Sequence, residues 1–343
     1  MLVAVTGGAG FLGLHLARRL LADGHTVRTL DLAPLDAPGL TGRVDELRGD
    51  VTVERDVRSL VAGAEVVVHA AAALPILNEL AAIRAVNVEG TATLLAAAAD
   101  AGVRRVVHIS STAVYGVPDH HPIVEDDRLV GVGAYGASKI EAERLCAAFG
   151  PRGLEVAIVR PKTFVGPERL GVFEILFDWI REGRRIPILG SGANRYQLLA
   201  VEDLVDAVVR CFDAPVAGRA LNVGAERFGT VSDDLQALID HAGSGARLRP
   251  VPARPAELAL RALELARLSP LAEWHYRTAY RDSFVAIDRA RDLLGWVPRL
   301  SNAETLCATY DWYLAHRDAL GQAGTTHRVP WNQQALGLLK RLA

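Results

Sequence analysis

The stretch Leu2-Val3-Ala4-Val5-Thr6-Gly7-Gly8-Ala9-Gly10-Phe11-Leu12-Gly13 leaves the chain few ways to begin folding. Its first residues form a short apolar run of the kind a buried strand takes, and Leu14-His15-Leu16-Ala17-Arg18-Arg19-Leu20-Leu21 has helical periodicity. The glycines therefore occupy a strand-to-helix turn. Gly7 permits the tight turn, Gly10 lets the backbone approach a diphosphate, and Gly13 allows the helix to pack closely on the strand. The helix start, with Phe11 and Leu12, offers free N–H groups and a partial positive charge to phosphates. Thr26-Val27-Arg28-Thr29-Leu30-Asp31 reads as a second strand ending in an acid. A carboxylate at Asp31 accepts from both ribose hydroxyls and repels a 2′-phosphate, which favours NAD over NADP.

The pattern then repeats. Val44–Val51 reads as a third strand ending in a turn, where Asp50 offers a carboxylate to an adenine amine and Val51 an apolar contact to its face. A helix near Arg55–Val61 leads to Val66-Val67-Val68-His69-Ala70-Ala71-Ala72, where small residues, Ala70 and Ala71 among them, let the backbone pass under a cofactor. A helix over Ile83–Ala101 carries Asn87 near its start, and Arg105–Ser111 and Val156–Pro161 read as further strands. Repeated βα units imply an α/β fold with a Rossmann-type, doubly wound parallel sheet that binds ligands at the carboxyl ends of its strands. Beyond Phe164 the order weakens, with a βα signal returning at Leu198–Phe212 and a strand at Ala220–Gly224. The expected organisation is a cofactor domain over 1–164, with 197–224 and about 284–296 returning to it. A smaller, interleaved substrate domain takes 165–196, 225–283 and the C-terminal region 297–343. An amphipathic helix near Ala256–Leu268 reads as a solvated face over a core rather than a membrane-surface helix.

Composition narrows the function classes. The 343 residues, 50% hydrophobic and 23% charged, can fill a sizeable core, so disorder is not expected. A net charge of −2 gives no electrostatic footprint for nucleic acid. Cys146, Cys211 and Cys307 are far apart and form no metal or redox motif. The apolar stretch around Val66–Ala85 is broken by His69, Pro75, Asn78, Glu79 and Arg84, which speaks against a membrane span. The first strand starts at Leu2, leaving no room for a signal peptide, and a cytoplasmic location is expected.

The second constellation is Tyr135-Gly-Ala-Ser-Lys139, within a helix expected over Ala134–Ala148. At this spacing phenol and ammonium rise from one helical face. A free phenol titrates near pH ~10. A neighbouring cation lowers that value and makes Tyr135 a proton acceptor for a substrate hydroxyl.

Together these residues resemble the extended short-chain dehydrogenase/reductase family, in its NAD-dependent epimerase/dehydratase group. The resemblance runs from Leu2 to about Leu314. It rests on Thr6–Gly13, Asp31, Asp50-Val51, His69-Ala70-Ala71, Asn87, Ser110–Gly116, Tyr135–Lys139, Arg160-Pro161, Gly166-Pro167, Val201-Glu202-Asp203-Leu204 and Leu294-Gly295-Trp296-Val297-Pro298. It implies Ser111 as the catalytic hydroxyl, a one-residue shift to Ser110 or Thr112 being open, and Lys139 as the group that binds the nicotinamide ribose and lowers the Tyr135 pKa. Asn87 and Pro161 join the cofactor contacts by the same resemblance. Members that dehydrate or decarboxylate carry an acid just after the catalytic hydroxyl, where Thr112 and Ala113 stand here, so elimination is not expected. Sugar-nucleotide members usually show Asn where Thr163 stands and an Arg-Asp pair where Tyr196-Gln197 stands. Against that departure, Lys162, Arg184, Arg185, Arg195 and Arg281 are cations suited to a diphosphate. Thr112, Thr163, Arg195 and Arg281 are the expected substrate contacts. The preferred expectation is a nucleotide-sugar epimerase using transient hydride transfer. The alternatives are an NAD-dependent dehydrogenase/reductase of a hydroxysteroid- or dihydroflavonol-like alcohol and a non-catalytic NAD(H)-binding regulator, which the complete Ser111–Tyr135–Lys139 set disfavours. The expected partner is a small-molecule substrate, and a homodimer is left open.

Overall fold

The computed structural model describes residues 1–73, 80–265 and 278–320. Strand β1 (Leu2–Thr6) has Val3 to Thr6 fully buried, as befits a strand covered on both faces. After it come α1 (Phe11–Ala22), β2 (Thr26–Asp31), β3 (Asp45–Arg48), α2 (Glu54–Val61) and β4 (Val66–His69). Next are α3 (Leu80–Arg84), a π-helical turn (Ala85–Glu89), α4 (Gly90–Asp100), β5 (Arg105–Ile109), α5 (Gly133–Phe149) and β6 (Glu155–Pro161). With β10 (Ala220–Val223) these strands form a seven-stranded parallel sheet of order β10-β6-β5-β4-β1-β2-β3. The order reverses between β1 and β4, and the crevice at that switch point lies outside the carboxyl ends of the strands.

Apolar clusters cover the sheet. One joins α1 and α7 (Val201–Arg210) to β1 and β5 through Leu14, Leu16, Val107 and Leu204; another joins α2 and α4 to β4 through Val57, Leu60, Val67 and Leu94. Leu80–Asp100 is long and apolar enough to cross a membrane by length and composition, and its packing against α2 and α5 accounts for its apolar face.

The remaining elements are β7 (Thr163–Val165), α6 (Val172–Arg181), β8 (Arg185–Leu189), β9 (Leu198–Ala200), α8 (Val231–Ala242), β11 (Arg247–Val251), α9 (Ala253–Leu265), α10 (Asp288–Leu294) and α11 (Asn302–His316). Strand β8 pairs with β11 and β7 with β9. They enclose a third core around Phe177, Trp179, Ile180, Leu238 and Tyr310. Trp296 is fully buried and donates to the Asp203 carbonyl at 3.0 Å, while the Asp203 carboxylate accepts from the Arg299 and Leu300 N–H groups. That one acid thus joins two sequence motifs nearly a hundred residues apart.

Several elements end earlier than the sequence suggests. The third strand stops at Arg48 because Asp50 turns back on itself, accepting from the Thr52 N–H at 2.9 Å. The fifth stops at Ile109 because the Ser111 hydroxyl caps a 3₁₀ turn over Thr112–Tyr115. Helix α9 is present, but none of residues 253–263 is buried and Leu258 is 67% exposed. The expected apolar face over a core is therefore only half covered. Residues 266–268 of that helix and 321–343 of the C-terminal region lie outside the described residues.

The join between β1 and α1 is the tightest contact in the sheet's crevice. A Cβ added to Gly13 would lie 2.1 Å from the Gly7 oxygen and 2.7 Å from Gly8 Cα, both backbone atoms. Gly7 itself holds φ +71°. Gly13→Ala is therefore expected to destabilise the protein by about 1–3 kcal/mol, the usual range for overpacking. A urea titration should show the midpoint falling with the slope unchanged.

Candidate active site

The turn after β1 opens onto space rather than onto side chains. No side chain caps α1, and a Cβ on Gly10 would meet nothing nearer than the Gly7 carbonyl oxygen at 3.1 Å. The first N–H groups of the helix, those of Phe11 and Leu12 among them, are thus unpaired within it. This chain's residues fit a diphosphate there. The Phe11 and Leu12 side chains turn the other way, into the core.

Asp31, at the end of β2, closes the loop from beside. Its two oxygens accept from the Ala9 and Ala33 N–H groups, each at 2.9 Å. Each oxygen keeps a second lone pair for a ribose hydroxyl. The Gly49 N–H donates to the Asp31 carbonyl, which brings Asp50 and buried Val51 to the same end of the crevice.

Ala70 and Ala71 are held from below. Both donate their N–H groups to Thr6 Oγ1 at 3.1 Å, so they meet a ligand through methyl groups or carbonyls only. Thr6 Oγ1 lies 2.8 Å from His69 Nδ1, and His69 Nε2 lies 2.9 Å from Thr91 Oγ1, whose proton goes to the Asn87 carbonyl. The network assigns the proton of a neutral His69 to Nε2. Burial, with Lys139 nearby, pushes its pKa down to about 3.

Asn87 requires a correction. Its side chain donates to the Ala73 carbonyl (3.1 Å) and Ser138 Oγ (3.0 Å) and accepts from the Ala73 N–H (2.8 Å). Fully buried in the π-helical turn, it ties the chain after β4 to α5 rather than reaching a cofactor. The sequence shows an Asn near a helix start but not the extra residue in that turn which aims it sideways.

Ser111 stands beside Tyr135, where its hydroxyl favours the phenolate, and it accepts from the Ala113 N–H at 3.1 Å. Ser110, by contrast, is buried and donates inward to Glu143. Thr112 donates to the Pro161 carbonyl at 3.3 Å. Of the three hydroxyls only Ser111 acts on the phenol.

The lysine does not act on the phenol as the sequence suggests. Lys139 is 3% exposed, its Nζ donates to the Ile109 carbonyl at 2.9 Å and lies 5.9 Å from the Tyr135 ring centroid. Burial lowers its own pKa to about 8. Burial pushes the Tyr135 phenol up to about 12, opposed by the Ser111 hydroxyl and by the charge of Arg169. The cation that eases the phenol's ionisation here is Arg169, a residue the motifs did not single out.

Behind this pair lies a buried frame. Arg160 donates to Glu143 Oε2 (2.6 Å), to the Tyr115 hydroxyl (2.7 Å) and to the Glu125 carbonyl (3.0 Å). Tyr115 in turn donates to Asn222 at 2.7 Å. The frame joins the 3₁₀ turn after β5 to α5, β6 and β10 and fixes where Ser111 and Tyr135 stand.

The expected cations separate into two groups. Lys162, buried at the end of β6, donates to Ser283 Oγ at 2.6 Å and sits 4.8 Å over the Tyr196 ring. Its pKa is lowered to about 7 by burial. Arg195 stacks on Phe228 and Phe284 at 4.5 and 4.9 Å, and the Ser283 N–H donates to its carbonyl. Arg281 lies on the Tyr280 ring at 5.4 Å. Thr163 and Tyr196 share a hydrogen bond of 3.2 Å. Arg184 and Arg185 are elsewhere: they stand at the start of β8, whose far end leads towards Arg195, and Arg184 pairs with Glu182 at 3.1 Å. Arg185 pairs with Arg247, just beyond the C-terminal end of α8, whereas Arg195 bridges Thr230 at the N-terminal end of that helix, so these two arginines leave the candidate diphosphate set.

Residues 3–224 match the family described as the NAD dependent epimerase/dehydratase family. An uncharacterized protein of Sinorhizobium fredii is 38% identical over 98% of this chain and 84% of its own. The UDP-glucose 4-epimerase of Mycolicibacterium smegmatis is 30% identical over 91% of this chain and 98% of its own. Among solved structures, the UDP-glucose 4-epimerase of Thermotoga maritima with UDP-glucose superposes with a TM-score of 0.79 at 23% identity, covering 92% of this chain and all of the other. The chain belongs to the NAD dependent epimerase/dehydratase family, and is an α/β enzyme of that family with NAD as its cofactor.

Proposed function

We propose that this enzyme epimerises a nucleotide sugar, with Tyr135 and Ser111 handling the proton of the hydroxyl at the inverted carbon. The observation that carries the reading is the Ser111 hydroxyl beside the Tyr135 phenol at the carboxyl edge of the sheet, with no acid in the two positions after Ser111. Bound NAD supplies the acceptor, and then the donor, of a hydride at that carbon. Ser111 orients the substrate oxygen. As phenolate, Tyr135 takes the hydroxyl proton while the hydride leaves the carbon, and as phenol it returns that same proton to the ketone oxygen when the hydride comes back; burial raises its pKa and favours the protonated form. Lys139 and Asn87 hold α5 in place for this exchange. Loss of water would need a carboxylate beside the reacting carbons, and Thr112 and Ala113 cannot provide one.

Lys162, Arg195 and Arg281 support a nucleotide diphosphate as the anchor. Arg195 and Lys162 converge on the Ser283-Phe284 segment, one through the Phe284 ring and one through the Ser283 hydroxyl. A substrate held there by its diphosphate leaves the sugar free to turn. The Thr163–Tyr196 pair, replacing amide and guanidinium by hydroxyls, favours a second reading: a dehydrogenase for a less polar alcohol. On either reading the substrate lies between residues 1–164 and the later segments 165–196 and 225–283.

Incubation with a UDP-hexose panel separates the two. Interconversion of isomers without added NAD and without accumulating NADH is expected; stoichiometric NADH with a released ketone would establish the second reading instead. Tyr135→Phe should lower turnover at least ~10²-fold, the scale of a lost general acid–base, with NAD affinity retained.

Lys162 makes binding pH-dependent. The ammonium is lowered to about 7 in the free protein by burial, and an anion beside it raises that value. Binding therefore takes up a proton at pH 8. The Lys162 contribution is full below about 7 and is lost as pH rises through the higher value of the complex. Calorimetry of UDP in two buffers of different ionisation heat should show net uptake that is smaller in Lys162→Met. Equal uptake in both proteins would exclude Lys162 from the anion site.

A further inference from the structure

Among the described residues, Arg169 stands apart from the other buried arginines, Arg105 and Arg160. It is 7% exposed, and its Nε has no hydrogen-bond partner. No carboxylate pairs with it among the described residues. What surrounds the guanidinium is aromatic: its carbon lies 5.3 Å from the Phe11 ring centroid and 5.6 Å from that of Phe164. Those rings stack on each other at 5.7 Å and 5°. Phe11 is the first residue of α1, at the mouth of the glycine turn, and Phe164 follows Thr163 in β7. The Tyr135 phenol is the partner on its remaining electrostatic side. Buried and without an anion, the guanidinium loses affinity for its proton, its pKa falling to about 9.

The backbone is bent to put it there. In the turn Gly166-Pro167-Glu168-Arg169, the Arg169 N–H donates to the Gly166 carbonyl at 3.0 Å, and Glu168 takes φ +71°. That is the left-handed region a non-glycine residue seldom occupies. Glu168 carries the carboxylate nearest in sequence, yet it points away to Arg18 at 2.5 Å. The turn thus separates a buried cation from the one acid beside it. A guanidinium kept from water costs far more without a counter-charge than with one, so the arrangement makes sense if the counter-charge arrives with a ligand.

We propose that Arg169 is an oxyanion-binding residue at the junction of the glycine turn, β7 and Tyr135, and that it takes a phosphate or carboxylate oxygen of a bound molecule. A planar fork between aromatic faces suits such an oxygen pair. The oxygen can come from the diphosphate of the dinucleotide or from an acidic group of the substrate. The substrate source rests on the nucleotide-sugar reading; the dinucleotide source does not.

Arg169→Gln and Arg169→Met in the full chain test this. One titration follows NAD by intrinsic fluorescence. A second follows UDP-glucose and UDP-glucuronate on protein saturated with NAD. About tenfold or greater weakening is expected in one titration, the scale of a lost charge-assisted hydrogen bond. Weakening for NAD assigns the dinucleotide diphosphate. Weakening for UDP-glucuronate alone assigns a carboxylate on the sugar, and equal weakening for both sugars assigns the nucleotide diphosphate. Affinities within twofold of the unmodified protein in every titration overturn the proposal, as they also do where the unmodified protein binds neither sugar. Thermal unfolding without ligand separates a structural role. Arg169→Met should hold or raise Tm by removing an uncompensated buried charge, whereas a fall of several degrees with unchanged affinities would show that the arginine only packs.

Discussion

One buried hydrogen-bond chain holds the two halves of the site in register. It starts at Thr6, where β1 gives way to the glycine turn, and passes through His69 at the end of β4 to Thr91 in α4. From Thr91 it reaches the Asn87 carbonyl, and the Asn87 side chain carries it to Ser138, inside the Tyr135–Lys139 motif. Each link is a polar group whose loss of water is offset by the next link and, at Thr6 and Asn87, by the backbone of Ala70, Ala71 and Ala73. The donors and acceptors alternate without a conflict, which requires a neutral His69. Lys139 helps to keep it so by repelling a second positive charge. Cofactor turn and catalytic helix are therefore parts of one rigid body, although more than a hundred residues separate them in sequence.

The second constraint is electrostatic. Lys139, Lys162 and Arg169 are all buried, and burial lowers the pKa of each. Their hydrogen-bond and ring partners are a carbonyl, a hydroxyl and aromatic rings, and of the three only Lys139 feels a nearby carboxylate, that of Glu143. Elsewhere in the same core the rule is obeyed, as in Arg160 with Glu143 at 2.6 Å. The contrast marks the crevice as a place where stability without ligand has been given up for affinity towards anions.

Much of this was legible in the sequence because it is local. The glycine turn, the acid ending β2, and the Tyr135–Lys139 spacing each lie within one strand-turn-helix unit, where periodicity and backbone sterics decide the outcome. The fold class followed from repeating that unit. What was not legible depends on contacts between distant segments. Asn87 looks like a cofactor ligand until the π-helical turn shows which way it points. Arg184 and Arg185 look like partners of Arg195 until the pairing of β8 with β11 sets them at the other end of α8. Arg169 carried no signal at all: one arginine after Gly-Pro-Glu is ordinary, and only the left-handed Glu168 turns it inward. The lowered phenol pKa failed for the same reason, since the spacing places Lys139 on the right face but cannot say that its ammonium goes to Ile109.

That failure bears on how the phenol works. Spacing alone suggests a phenol whose pKa Lys139 lowers, whereas in the structure burial raises it. A base formed in advance would attract solvent protons between turnovers and would idle as a partly desolvated charge. A phenol that ionises only while a substrate hydroxyl is hydrogen-bonded to it avoids both. Ser111 and Arg169 are the two groups that oppose the rise in the phenol's pKa, one through its hydroxyl and the other through its charge. An anion bound at Arg169 would weaken the second and leave the first. On the proposed reading, proton transfer would then depend on which ligands are bound and not on pH alone, so the same phenol could take a proton early in the cycle and return it later.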